Sequence, residues 1–276
     1  MSISHYLPNV LTNLTSTNSN SRAFFTSSKV SSIVVSIAAL TFASASWAGD
    51  EHNHDKESSG EKTAITTLEL NDGLYMMSGK GGNVLASVGD DGTFIVDDQY
   101  ASEHETIIAA LKKVGGDTPR FLLNTHWHGD HTGGNEAMGE QGTIIFAHEN
   151  VRKRLTSEQF VKAFDMKMAP QPDAALPMIT FDNSMSLHWN DLTIKAIHTG
   201  SAHTDSDSYV LFEGANVVHT GDLYFSDFYP FIDPDSEGSV AGMIEGVNAI
   251  LAQIDGNTKV VPGHGTLSNK VRLTEY

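Results

Sequence analysis

The chain contains no cysteine in its 276 residues. Disulfides, thiolate metal ligands and a cysteine nucleophile are therefore excluded. Positive charge is scarce as well: 17 Lys and Arg stand against 34 Asp and Glu, a formal net charge of −17. A surface of that sign repels phosphate backbones, so nucleic acid is not an expected partner. The apolar stretch 30–43 is too short to span a bilayer. What is present, with 39% hydrophobic residues, suffices for one large domain around a sizeable core.

The first 48 residues differ from the rest. They hold Arg22 and Lys29 but no acid, then the apolar stretch, then small residues at Ser46 and Ala48. That order is the pattern of a secretory signal peptide cleaved after Ala48. Its removal takes away two basic residues and leaves 15 against 34 acidic ones, a net charge of −19. The expectation is a periplasmic or secreted bacterial protein, without stable membrane insertion after cleavage. Residues 49–63 are polar and read as a disordered tether, with His52 and His54 solvated. Residues 64–276 are expected to form the folded domain.

The densest chemistry lies in residues 120–135, RFLLNTHWHGDHTGGN. Phe121-Leu122-Leu123 reads as a short buried strand. It delivers the chain into a loop carrying His126, His128, Asp130 and His131. Neutral imidazole is the commonest protein ligand for divalent metals, and carboxylate suits a hard or borderline cation. Residues two apart on an extended segment point the same way. His126 and His128 can thus share one ion, while Asp130 and His131, past the bend at Gly129, face a second. Gly133-Gly134 permits a tight turn beside them. Asn135 can cap a helix beginning near Glu136.

His126-Trp127-His128-Gly129-Asp130-His131 resembles the HxHxDH signature of the metallo-β-lactamase-fold superfamily. Its later partners follow in order. Gly200-Ser201-Ala202-His203-Thr204 resembles the third-histidine loop, Thr220-Gly221-Asp222 the bridging aspartate, and Pro262-Gly263-His264-Gly265 the last histidine turn. Gly82-Asn83-Val84 and Phe94-Ile95-Val96-Asp97 resemble the opening strands, so the match runs from about Leu68 to the C-terminus. The resemblance implies an α+β fold, a four-layer αββα sandwich of two mixed β-sheets flanked by helices. It also implies two zinc ions per chain. His126, His128 and His203 would take the first, and Asp130, His131 and His264 the second. Asp222 would bridge both, as in the glyoxalase-II-like ligand set. Asp97 would lie behind the loop and orient a ligand. Family members usually continue past the last histidine into a helix, whose start Ser268-Asn269-Lys270 resembles. With twelve residues after His264, the expected last layer is truncated or thin.

Between the motifs, turn punctuation predicts three or four hairpin strands over 64–98. A helix is predicted over 102–114, with a capping box from Ser102 to Glu105. A strand ending at His148 should lead into a helix over 149–160. Residues 163–178, rich in Met and Pro, read as a loop flanking the site. Strands are expected around 186–189, 192–197 and 208–212, and an amphipathic helix over 239–254. His148, His188, His198 and His219 read as structural. Five aromatics over 224–231 suggest an apolar wall.

The function implied is a zinc-dependent hydrolase acting on a small-molecule substrate. A metal-bridging hydroxide, acidified by two close cations, would cleave an ester, lactone, thioester or amide carbonyl. Asp130 would orient it and carry the proton to the leaving group. Tyr224 would reach the developing oxyanion. Many lactamases of the family hold the substrate carboxylate with a lysine just past the bridging position, but residues 223–234 hold no Lys or Arg. Glutathione thioesters also need basic anchors. An apolar ester, lactone or amide fits better. Three other readings stay open: β-lactamase activity on antibiotics, a mononuclear iron persulfide dioxygenase, and a non-catalytic periplasmic metal binder.

Overall fold

The computed structural model describes residues 64–71 and 73–276, so the signal peptide and tether expected over 1–63 lie outside the described residues. The described chain opens as an antiparallel meander: β1 (Thr66–Asn71), β2 (Leu74–Ser78), β3 (Val84–Gly89) and β4 (Gly92–Val96). Helix α1 (His104–Lys113) then crosses over, and β5 (Phe121–Asn124) lies parallel to β4. Two short helices, α2 (Gly129–Thr132) and α3 (Asn135–Glu140), lead to β6 (Ile144–His148), parallel to β5. Helix α4 (Glu149–Leu155) follows, then a hairpin of β7 (Gln159–Val161) and β8 (Met166–Met168) that forms a sheet of its own. Strand β9 (Ile179–Phe181) completes a seven-stranded sheet of order β1-β2-β3-β4-β5-β6-β9.

The second sheet holds β10 (Ser184–Trp189), β11 (Leu192–His198), β12 (Ser208–Glu213) and β13 (Val217–His219). Helix α5 (Val240–Gln253) crosses to β14 (Lys259–Val261), which runs parallel to β13. Strand β15 (Ser268–Asn269) and helix α6 (Lys270–Glu275) end the chain. Among the described residues no helix is long and apolar enough to cross a membrane.

Side-chain alternation along these strands explains the layering. In β4, Phe94 and Val96 enter the core between the sheets, while Ile95 packs outward with Ile107 and Leu111 of α1. In β12, Val210 and Phe212 enter the same central core, while Tyr209 packs outward with Met243 and Ile250 of α5. Both faces of each sheet are thus apolar, and each must be covered. Phe94 meets Phe212 edge to face across the sandwich, with ring centroids 6.1 Å apart. Full burial of one such side chain contributes about 1.5–3 kcal/mol. The expected αββα sandwich is the fold observed, with Leu273 of α6 buried beside α5 in the last layer.

Several local expectations fail for identifiable reasons. The capping box at Ser102 does not form. A turn of 3₁₀ helix occupies Ala101–Glu103, and the Ser102 hydroxyl donates to Glu103 Oε1 (3.0 Å) instead of to the helix. Asn135 caps nothing. Its side chain is buried and donates to Asn124 Oδ1 (2.9 Å) and to the Ala175 carbonyl (2.9 Å), tying α3 to β5. The helix expected over 149–160 stops at Leu155, because Phe160 and its neighbours pair as β7. Residues 163–178 are partly regular, since β8 lies within them.

Candidate metal centre

The C-terminal ends of β4, β5, β13 and β14 open into one site. Past β5 the chain stays extended through His128 (φ −62°, ψ 148°). The rings of His126 and His128 therefore share one side, with centroids 4.9 Å apart. Trp127, between them, faces the other way into a cluster with Val151, Leu155 and Val161. Helix α2 then turns Asp130 and His131 towards the same space. From the second sheet, β13 ends in a 3₁₀ turn, Gly221–Leu223, carrying Asp222. His203 and His264 arrive on loops. The His203 loop is pinned by Asp207, which accepts from the Thr204 amide (2.7 Å) and hydroxyl (2.9 Å).

Four of the five imidazoles spend one nitrogen on a protein group, His126 Nδ1 lying 3.1 Å from Thr125 Oγ1, and present the other inward. His131 Nδ1 lies 2.7 Å from Asp97 Oδ2, His203 Nδ1 2.7 Å from the Phe231 carbonyl, and His128 Nε2 3.1 Å from Asp233 Oδ2. What remains is a convergence of ligand atoms within 4.8 Å of one another, in three overlapping groups. These are His126, His128 and His203; His126, His131 and Asp222; and Asp130, His131 and His264. His128 Nδ1 and His203 Nε2 face each other at 2.9 Å. His126 Nε2 is buried and has no hydrogen-bond partner. A buried polar atom without a partner costs free energy that a bound cation removes. Asp222 touches every group. Its Oδ1 lies 3.1 Å from His131 Nε2, and its Oδ2 lies 3.4 Å from His203 Nε2, 3.5 Å from His264 Nε2 and 3.8 Å from His126 Nε2. This donor set of imidazoles and carboxylates fits a pair of divalent cations.

The electrostatics agree with that fit. Burial drives His126 well below its ordinary pKa and His203 down to about 4, so both are neutral and able to ligate. Burial would lower His131 too, but Asp222, Asp130 and Asp97 overcome it and hold the ring well above its usual value. His264 is likewise raised, to about 9, by Asp222 and Asp130 against burial. Burial would raise Asp130, yet His131 and His264 hold it at about 2. Both rings are thus biased towards the protonated form, and metal binding has to displace those protons.

Asp97 sits at the end of β4 in the left-handed region (φ 60°) and is fully buried. It accepts from the Thr125 amide (2.7 Å) and hydroxyl (2.8 Å), and its Oδ2 holds His131. One carboxylate therefore fixes both the start of the loop and one ring. Asp97→Asn, which tolerates the same backbone, is expected to weaken divalent-metal affinity roughly 10–100-fold, read by chelator competition. Unchanged affinity would show that His131 needs no such partner.

A cavity of about 520 Å³ opens over Asp130, Asp222 and three of the histidines, and its other walls are Tyr100, Val161, Phe164, Met166, Met168, Phe225 and Phe231. Tyr224 does not face it. Its hydroxyl lies 3.0 Å from Ser268 Oγ, and its ring packs edge-on against Tyr276 in the outer core. The backbone at Tyr224 is extended (φ −143°, ψ 126°), so neighbouring side chains face opposite ways and Phe225 points to the cavity. Of the five aromatics over 224–231, only Phe225 and Phe231 line the cavity, while Phe228 and Tyr229 are exposed. His148 and His198 stack on each other outside the site, at 3.6 Å. His219 is buried and bonds the Asn83 carbonyl (2.8 Å) and the Gly221 amide (3.1 Å).

Three contributors escape a reading of the sequence. Tyr100 lies between strand and helix with no motif around it. The Phe231 carbonyl is invisible in any side-chain pattern. Asp233 precedes a proline, which marks it as a cap. It does cap the turn Pro234–Ser236, but the same carboxylate also holds His128.

A model of the metallo-beta-lactamase superfamily matches residues 78–264. The chain belongs to that superfamily. Among curated relatives, hydroxyacylglutathione hydrolases of a Polaromonas species and of Anaeromyxobacter dehalogenans are 26% and 27% identical over 174 and 156 residues, or 62% and 56% of this chain. The chain spans just over half the length of these relatives, 58% and 51%. Among solved structures, the DIM-1 metallo-beta-lactamase superposes with a TM-score of 0.62 at 18% identity, covering 77% of this chain and 94% of that one. The metallo-beta-lactamase of Pontibacter korlensis gives 0.61 at 15%, covering 76% and 95%. At these identities the structural likeness is one of fold.

Proposed function

We propose that the protein is an exported dinuclear zinc hydrolase that cleaves the carbonyl group of a small-molecule ester, lactone, thioester or amide. The observation that carries this is Asp222, whose two oxygens stand within 3.1–3.8 Å of imidazole nitrogens from both halves of the fold. In this reading His126, His128 and His203 would hold the first zinc and Asp130, His131 and His264 the second, with Asp222 available to both. Two such ions supply a Lewis acid and a water acidified towards neutrality.

The chain's own residues do the rest. Asp130, partly open to the cavity and kept anionic by His131 and His264, accepts a hydrogen bond from the attacking water and fixes its direction. Tyr100 replaces Tyr224 as the phenol at the site. Burial and the nearby Asp130 charge raise its pKa, so it stays protonated and can donate to the substrate carbonyl. Phe225 stacks on His264, with ring planes 7° apart, and holds that ring in place. Completeness of both donor sets supports two ions over the single iron of a dioxygenase, and an open cavity over them supports catalysis over storage.

The test is the metal content and intact mass of protein recovered from a periplasmic extract. We expect two zinc ions per chain and a mature start at Gly49. One tightly held iron would promote the dioxygenase reading, and retention of residues 1–48 would overturn cleavage.

A further inference from the structure

The cavity carries a finer statement about substrate, which rests on the hydrolase reading above. Beyond the ligands and Tyr100 its walls are Val161, Phe164, Met166, Met168, Phe225 and Phe231, and none of the described residues lining it is Lys or Arg. The nearby cations are committed elsewhere. Lys162 pairs with Asp235 at 2.8 Å on the surface, and Lys80 faces Glu103 at 3.7 Å. Lys167 lies between Met166 and Met168 in β8. Since both methionines line the cavity, strand alternation turns Lys167 away from it.

Two of the walls are also uneconomical for an empty surface. Phe164 is 63% exposed and Met166 42% exposed, although both are large and apolar. Such patches mark a surface that an apolar ligand covers. A carboxylate placed against this wall, away from the metal centre, would lose its hydration and find no counter-charge. A cavity of about 520 Å³ falls within the range of roughly 300–1,000 Å³ that holds drug-sized ligands.

We infer that the substrate is a neutral carboxylic ester or lactone whose acyl part is an unbranched apolar chain of intermediate length, lying along the β7–β8 hairpin and Phe231. Glutathione thioesters and β-lactams, both of which carry carboxylates, are then poor substrates.

The experiment uses the zinc-loaded protein and a matched pair of p-nitrophenyl esters, the octanoate and the suberate half-ester of equal chain length. S-lactoylglutathione and nitrocefin complete the panel. The octanoate is expected to exceed the suberate in kcat/KM by at least ~100-fold. Met166→Lys should narrow that ratio by about fivefold, by offering the carboxylate a partner. Zinc-free protein should also bind the neutral fluorophore N-phenyl-1-naphthylamine, and Met166→Lys should weaken that binding. Turnover of lactoylglutathione or nitrocefin equal to or better than the octanoate would overturn the inference and leave the hydrolase standing. So would a suberate rate matching the octanoate, or no binding of the fluorophore. Inactivity on all four substrates with two zinc ions bound would overturn the hydrolase reading itself.

Discussion

Asp222→Asn is expected to reduce hydrolysis by at least ~100-fold and to lower the zinc content from two ions towards one. The substitution keeps the side-chain shape, so the change is one of charge and ligation. Two cations a few Å apart repel each other, and the shared carboxylate offsets part of that repulsion. Asp222 also holds His131 and His264, whose raised pKa values depend on its charge. The second site then has one anion fewer, while the first keeps three imidazoles and should retain its ion. His198→Ala is the control, since that ring stacks on His148 away from the centre. The measurements are zinc stoichiometry and turnover of any hydrolysed ester. Two retained ions with near-normal turnover in Asp222→Asn would place the dinuclear assignment in error at its centre.

Gly263→Ala should have an effect of similar size through backbone geometry alone. A Cβ there would overlap Asp222 Oδ1 and stand 2.6 Å from both the carbonyl carbon and oxygen of Gly221. The backbone atoms cannot swing aside, so the 3₁₀ turn bearing Asp222 must move. The turn also receives the Gly263 amide at the Gly221 carbonyl (2.8 Å). A displacement of about 1 Å at a catalytic group can cost around 100-fold. We expect a loss of that order in turnover, weaker zinc binding and a lower Tm. Gly256→Ala, where an added Cβ meets nothing within 4 Å, should change none of the three. Equal behaviour of the two alanine variants would mean that the turn tolerates a shift the geometry does not allow.

Much of this site is legible in the sequence because its parts are local. His126, His128, Asp130 and His131 fall within six residues, and strand alternation alone gives the directions of the first two. Trp127 facing away into the core follows from the same rule. The sandwich is legible because β4 and β12 bury both faces, which produces runs such as Phe94-Ile95-Val96. What escapes depends on contacts distant in sequence. Asp233 reaches His128 across 105 residues, and Asn83 donates to the Pro262 carbonyl across 179 residues. Tyr224 misleads for a different reason. An aromatic run shows that rings are needed there, but one step of backbone phase decides which ring faces the metals.

The hairpin of β7 and β8 supplies much of the apolar wall, yet it pairs with neither large sheet and contributes no ligand. Its tie to the rest of the site includes the exposed pair between Lys162 and Asp235 and the buried side chain of Val161. That part of the wall is therefore carried on a piece of chain separate from the ligands. Substitutions at residues 162–168, which leave the buried Val161 in place, are expected to alter this wall without moving the ligands. A library confined to residues 162–168 would explore new substrates at little risk to folding, and the same separation gives natural selection a short segment on which to act.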